Sequence, residues 1–326
     1  MIPVPHDFQL DVVSRVRQRF VEGKRIGVLQ SATGSGKTTV ASYIAKEAAS
    51  RGNPVLFLVH RRKLVDQISS RLEEFQVNHG IIMRGQIPYG SALVQVASRD
   101  TITSRCFTHE WNGLPPAKLV IVDEGHHAAG EESEYRRILQ QYPTSRIILL
   151  TATPVGPDGK GMGPWAQFIE CAAPTSQLVR DGFLVPVKCY APDRKVHRGK
   201  AKRGIAGDLV ESWKMYAENL PTVLFCSRVS HSQDAVASFK EAGIKAVHVD
   251  ADTDDVTRDD AFRGLETGSV KVVSNVGIIK EGVDVPCLGC CQFYMDPSGR
   301  VGFLQGCGRI MRPYPGKTHG VLIDHA

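Results

Sequence analysis

The sequence predicts an α/β chain built on two parallel sheets, and three observations carry that prediction. Short β-branched runs recur at Ile26–Leu29, Val55–Val59, Leu93–Ala97, Leu119–Val122 and Ile147–Leu150, then at Val223–Phe225, Ala246–Val249, Val270–Val273 and Val321–Ile323. Near-continuous apolar runs of this kind fit strands buried on both faces. Amphipathic stretches lie between them, notably Lys37–Ser50, Lys63–Phe75, Ser230–Ala242 and Thr257–Glu266. Strand–helix alternation is the pattern of a parallel sheet covered by helices. Finally, 326 residues is enough chain for two domains at ~150 residues each.

Composition narrows the class. Apolar residues are 42% and charged residues 23%, which excludes a disordered chain. The longest purely apolar run is Val55–Val59, far short of the ~20 residues a membrane span needs. Met1-Ile2-Pro3-Val4-Pro5-His6-Asp7 has neither a basic nor an apolar signal region, so no secretion signal is read there. The expected location is cytoplasmic or nucleoid-associated, and the eight cysteines are read as reduced thiols. A net charge of +6 permits a polyanionic partner without demanding one. Gly and Pro concentrate in Pro154–Pro164, and Asp181–Pro186 adds a second break. These place a first domain at 1–174, a linker at 175–186 and a second domain at 187–326.

The run Ile26–Leu29 leads into Gln30-Ser31-Ala32-Thr33-Gly34-Ser35-Gly36-Lys37-Thr38-Thr39 and then a helix. Glycines let the backbone curl so that its N–H groups face a phosphate chain, and the helix N-terminus adds partial positive charge. Residues Thr33 to Thr39 form the candidate nucleotide-binding loop, with Lys37 reaching the β and γ phosphates and the Thr38 hydroxyl able to ligate Mg²⁺. The strict pattern wants Gly where Ser31 stands; Ser31 is small enough to substitute. Downstream, Val120-Ile121-Val122 ends in Asp123-Glu124-Gly125-His126. Two acids at a strand end can divide labour, Asp123 holding Mg²⁺ and Glu124 polarising the attacking water.

With these two motifs in place, the order of the remaining ones resembles the superfamily-two helicases of the DExH-box kind, over nearly the whole chain. Asp123–His126 resembles their second motif and Thr151-Ala152-Thr153-Pro154 their third. Val59–Leu64 and Val96–Thr101 stand where first-domain strand contacts fall. Phe225-Cys226-Ser227-Arg228 resembles the fourth motif, Glu281–Pro286 the fifth and Gln305–Arg312 the sixth. The wording leans toward the phage, DNA-repair and restriction-motor branch. The resemblance implies two tandem RecA-like domains with the ATP site in the cleft between them. It implies Arg309 and Arg312 as catalytic arginines, Gln9 reading adenine, and Gly282, Asp284 and Gln305 near the nucleotide, with Gln305 pairing His126. It also implies nucleic-acid contacts at Arg61, Arg62, Ser98, Arg99, Ser227, Arg228 and Asn275. Arginine fingers are worth ~10³–10⁵ in rate in other NTPases, so hydrolysis would be gated by domain closure.

The implied activity is an ATP-dependent helicase or translocase, with ATP and Mg²⁺ as cofactors and nucleic acid, DNA over RNA, as partner. A monomer is expected, in DNA repair or recombination. A nucleic-acid-stimulated ATPase clamp or RNA helicase is the alternative. A small-molecule P-loop kinase is a third reading, and motifs five and six count against it. Weaker signals read more plainly. Cys287, Cys290 and Cys291 are thiols packed in a buried strand rather than zinc ligands, since a fourth ligand at workable spacing is lacking. Arg194–Arg203 carries six formal positive charges and is either a solvated loop or a phosphate-backbone contact. The adjacent rings of His126 and His127 should diverge, and Trp111, Trp165 and Trp213 should pack rather than stack on bases. The chain stops just after Val321–Ile323 with no following helix to cover that strand. This predicts the motor core of a longer protein with an accessory region beyond it.

Overall fold

The computed structural model describes residues 2–85, 90–107, 114–130, 133–156, 159–163, 165–192, 208–217, 219–277, 285–295 and 299–325. The described residues fall into two compact units, Met1–Pro174 and Thr175–Ala326. The stretch expected as a linker, 175–186, clusters with the second unit and opens with a short helix, Thr175–Arg180.

The first unit runs α1 (Asp7–Val21), β1 (Ile26–Gln30), α2 (Lys37–Ser50), β2 (Val55–Val59), α3 (Arg62–Glu74), β3 (His79–Ile82), β4 (Val94–Ser98), α4 (Arg99–Phe107), β5 (Leu119–Val122), a 3₁₀ turn (Gly125–Ala128), α5 (Glu134–Gln140), β6 (Arg146–Thr151) and β7 (Phe168–Cys171). Its seven strands pair in parallel in the order β3-β4-β2-β5-β6-β1-β7. Side chains of β2 show why the central strands are apolar throughout. Val55, Phe57 and Val59 enter the core shared with α1, α2 and α3, while Leu56 and Leu58 enter the core on the opposite face with Ile138 and Leu139 of α5. Burial on both faces leaves no position for a polar side chain.

The second unit continues with α6 (Thr175–Arg180), β8 (Val187–Tyr190), α7 (Leu209–Tyr216), β9 (Thr222–Cys226), α8 (Val229–Glu241), β10 (Ala246–Val249), α9 (Asp255–Thr267), β11 (Val272–Asn275), β12 (Cys290–Tyr294), α10 (Gly299–Ile310) and β13 (Gly320–Asp324). Six strands pair in parallel as β10-β11-β9-β12-β13-β8. Both sheets match the predicted doubly covered α/β class.

Four strands escape the apolar-run criterion. β3, β7 and β8 are outer or edge strands with alternating or partial burial, so they carry polar residues. β7 buries an acid, Glu170, which Arg15 and Arg19 of α1 bind; the Arg19 Nε contact is 2.8 Å. β12 is central, and its pattern is broken by Gln292, fully buried, whose Nε2 donates to the Leu209 carbonyl at 2.9 Å. β11 starts two residues later than its apolar run suggests.

The final strand corrects an expectation. β13 is not left uncovered: it pairs with β12 on one side and β8 on the other. Val321 and Ile323 pack with Trp213 of α7. The covering helix precedes the strand in the chain, so the sequence beyond it gave no sign. No helix among the described residues is long and apolar enough to cross a membrane.

Candidate nucleotide site and nucleic-acid surface

Strands β5, β6 and β1 are adjacent and parallel, so the chain segments leaving their carboxyl ends emerge side by side. Those segments are Asp123–His126, Thr151–Pro154 and the loop Ser31–Gly36. The carboxyl edge of a parallel sheet is where such folds bind ligands.

The loop is held from several directions. Ser31 N–H donates to the Thr151 carbonyl at 3.0 Å. Ser35 Oγ donates to the Ala32 carbonyl at 2.7 Å, and its single proton is then spent. Ser31 Oγ therefore donates to Ser35 Oγ at 2.5 Å. Ser31 is thus more than a tolerated substitute for glycine, because its buried hydroxyl ties the loop closed. Gly34 and Gly36 take φ of 85° and 86°, the left-handed region. A Cβ on Gly36 would also meet Gln9 Nε2 at 2.6 Å. Lys37, Thr38 and Thr39 occupy the first turn of α2, half-exposed, where backbone N–H groups lack helical partners.

Gln9 is held at both ends of its carboxamide. The adenine-reading expectation wants its carboxamide free to donate and accept. Here Oε1 accepts from the His6 N–H at 2.9 Å and Nε2 donates to the Ser35 carbonyl at 3.0 Å. Gln9 is 2% exposed. It caps α1 and braces the phosphate loop, and these two bonds leave one N–H and one oxygen lone pair of the carboxamide for adenine.

The two acids sit on unlike backbones. Asp123 directly follows β5, and its Oδ1 accepts the Glu124 N–H at 3.0 Å. Glu124 lies at φ 47°, ψ 50°, a left-handed conformation that costs a non-glycine residue ~1–2 kcal/mol. The next residue permits this turn: a Cβ on Gly125 would lie 2.7 Å from Leu149 Cβ and 2.9 Å from Leu149 Cα. His126 then turns inward, 3% exposed. Its Nδ1 is 3.1 Å from Thr151 Oγ1 and 3.4 Å from Glu124 Oε2. Thr151 Oγ1 gives its proton to the Thr153 carbonyl at 3.0 Å, so the His126 Nδ1 carries the hydrogen that joins them. The second and third motifs are thereby bonded to each other. The Thr38 hydroxyl and the Asp123 carboxylate supply the hard oxygen ligands that Mg²⁺ takes. With the loop's N–H groups, the residues present fit a Mg²⁺–nucleotide.

In the second unit, α10 carries Gln305 and Arg309, each 8% exposed, and Arg312 lies just past the helix end. Arg309 is therefore not on a solvated helix face.

Two family models match the chain. Residues 3–156 match that of the type III restriction enzyme res subunit, and residues 206–314 match the helicase conserved C-terminal domain. Together the two matches indicate a superfamily-two helicase. A 51.5 kDa protein of a Lactococcus phage is 32% identical over 91% of this chain and 65% of its own length. The protein irc3 of Schizosaccharomyces pombe, provisionally named a mitochondrial ATP-dependent helicase, is 27% identical over 97% of this chain and 56% of its own length. The chain thus spans between about half and two thirds of these relatives. Among solved structures, the type ISP restriction-modification enzyme LlaBIII bound to DNA superposes with a TM-score of 0.77 at 18% identity. That match covers 100% of this chain and 28% of the other. It supports the RecA-like helicase fold of both units.

Within this helicase frame the residues expected to touch nucleic acid divide. Arg61 and Arg62 open α3 at the carboxyl end of β2, half-exposed and exposed. Ser227 and Arg228 follow β9 and are exposed. Three others are placed differently. Ser98 ends β4 at 8% exposure. Arg99 is engaged by Asp100 and by Glu134, the latter at 3.0 Å, with its guanidinium over the Tyr135 ring. Asn275 is fully buried, its Nδ2 donating to the Leu224 carbonyl at 2.8 Å, so it serves the sheet rather than a strand of nucleic acid. Gly282, Asp284, Trp111 and the basic stretch Arg194–Arg203 lie outside the described residues. Trp213 packs, donating its indole N–H to Thr222 Oγ1 at 2.6 Å, and Trp165 lies under the Arg136 guanidinium. Cys290 and Cys291 are buried in β12, where burial pushes the Cys290 thiol up to about 12. The imidazoles of His126 and His127 do not diverge: their centroids are 4.3 Å apart, because a 3₁₀ turn rather than a regular helix carries them. Nothing in the linear sequence signals that proximity, or the contact that His60 adds to it.

Proposed function

We propose that this chain is the ATP-hydrolysing motor of a helicase or translocase that acts on DNA. The observation that carries the proposal is the bonded convergence of three motifs at the ends of β1, β5 and β6, through Ser31, Thr151 and His126. In the reaction, Lys37 and the loop N–H groups hold the β and γ phosphates. Thr38 and Asp123 would hold Mg²⁺, whose charge would offset that of the phosphate oxygens. Glu124 polarises the attacking water. Arg309 and Arg312 are the residues assigned to stabilise the charge that develops on the γ-phosphate. Arg61, Arg62, Ser227 and Arg228 contact the nucleic-acid backbone. The preference for DNA rests on the restriction-subunit model over the first unit, since restriction acts on DNA.

The test measures ATP turnover of wild type with and without single-stranded DNA, duplex DNA and RNA, beside two variants. Lys37→Ala should lose at least ~10²-fold in turnover, as loss of a preorganised charge contact does. Glu124→Gln should keep nucleotide binding while turnover falls ~10²–10⁴-fold, the usual worth of positioned acid–base catalysis. Wild-type turnover by Glu124→Gln would remove the catalytic assignment. Greater stimulation by RNA than by either DNA would overturn the substrate.

A further inference from the structure

Three imidazoles line up between the strand-contact turn after β2 and the acids after β5. β2 and β5 are neighbours in register, with Leu58 opposite Val122, and the Asp123 N–H donates to the Leu58 carbonyl at 3.1 Å. The two turns therefore leave the sheet together. His60, the first residue beyond β2, is half-buried and precedes Arg61 and Arg62. Its ring meets the His127 ring edge-on at 4.8 Å between centroids, with 62° between planes. His127 in turn lies 4.3 Å from His126. His126 ends the series at Thr151 Oγ1 and Glu124 Oε2. His127 has a second hold on the same place, since its backbone N–H donates to the Glu124 carbonyl at 3.0 Å.

We propose that His127 is a positioning residue that couples the strand-contact turn at His60–Arg62 to the water-polarising acid Glu124. The inference deepens the proposed function and rests on it. The physical case is packing against a strained turn. Glu124 occupies a left-handed conformation that its surroundings must hold in place. The 3₁₀ turn Gly125–Ala128 does this, and its His127 ring is in contact with His60 at β2's exit. A strand pressing on Arg61 and Arg62 moves His60. His60 moves His127, and His127 moves the backbone that sets the Glu124 carboxylate. The opposite face of the turn is fixed, because Gly125 is wedged on Leu149 and His126 is bonded to Thr151. Displacement is therefore passed to Glu124 rather than absorbed. The imidazole nitrogens of His127 are not needed for this; the ring's volume is.

The experiment compares wild type, His127→Ala and His127→Phe in ATP turnover, with and without single-stranded DNA, after matching thermal midpoints confirm folding. His127→Ala should keep basal turnover within about 2-fold and lose most of the DNA stimulation, by about 10-fold, within the 5–150-fold span of typical couplings. His127→Phe should restore most of it, since a flat ring of similar size is retained. In a double-mutant cycle, His60→Ala on top of His127→Ala should add less than 2-fold, because both act on one path. Undiminished stimulation in His127→Ala overturns the inference, as do equal losses of basal and stimulated turnover or additive effects in the cycle. If wild type itself is not stimulated by any nucleic acid, the motor reading falls and the coupling falls with it. Stimulated wild type beside an equally stimulated His127→Ala sinks the coupling alone.

Discussion

At the carboxyl edge of the first sheet, the residues that hold the structure together are the motif residues themselves. Ser31 bonds Ser35, His126 bonds Thr151, and Gln9 braces the phosphate loop. The second unit divides the labour. Its motif residues Ser227 and Arg228 are exposed, while a network behind them takes only Cys226 from that motif and is otherwise built of residues outside it. In that network Ser274 and Ser232 hydroxyls lie 2.6 Å apart, Ser232 Oγ is 2.6 Å from His248 Nδ1, and His248 Nε2 is 3.0 Å from Asp250 Oδ2. Cys226 Sγ joins at 3.6 Å from Ser274 Oγ, and burial pushes its thiol up to about 11, which keeps the proton on sulfur. The donors can all point one way, from thiol to hydroxyls to imidazole to carboxylate. The network pins the first turn of α8, which carries Ser232, to β11 and to the loop after β10. Function and stability are thus entangled in the first unit and separable in the second.

Gly125→Ala should sharpen this contrast most. The new methyl would sit 2.9 Å from a backbone atom of β6, Leu149 Cα, which has no rotamer to move. Overpacking of this kind costs ~1–3 kcal/mol or more. Denaturation monitored in the first unit should show that loss together with a collapse of ATP turnover. Full stability in this variant would mean the turn has room that the geometry denies.

Ser232→Ala comes next. It leaves His248 and Ser274 short of a buried partner, a loss of ~1–3 kcal/mol. The destabilisation should be confined to the second unit, and fluorescent-nucleotide binding by the first should stay at the wild-type level. A matching loss of nucleotide binding would break the comparison.

The smallest effect is acid-specific. His248 hydrogen-bonds Asp250 and, with the Thr253 hydroxyl, holds its carboxyl below the ordinary 3.8. A depressed carboxyl adds stability that is complete above the ordinary value and lost as pH falls through the folded one. Asp250→Asn should therefore be less stable than wild type near neutrality, and the gap should close below about pH 4. A gap that stays constant down to pH 2 would show that hydrogen bonding alone, not charge, matters there.

How much of this was legible beforehand follows from where each signal resides. The central strands are apolar because both their faces are buried, so β2, β5, β6 and β9 stand out as runs. The phosphate loop is legible because curling a backbone around phosphates needs glycine at fixed spacing, and a ligand's requirement is written locally. Edge strands β3, β7 and β8 are paid less by burial and lose their apolar runs. Gln9 and Asn275 look alike in sequence, each a polar residue at a family position. Only packing shows that one carboxamide braces the loop and the other a neighbouring strand.

By itself the sequence determined two parallel α/β units, the order of the motifs and which residue types stand at the ends of β1 and β5. These depend on local pattern: the period of burial, the conformations glycine permits, and acids placed after apolar strands. The tertiary structure decided which polar atoms find one another. Ser31 with Ser35, His126 with Thr151, His60 with His127 and Ser232 with His248 join segments that strand order alone brings together or loop curvature folds back. A hydrogen bond or ring contact is set by distances of a few ångström, and the spacing of residues along the chain does not encode them.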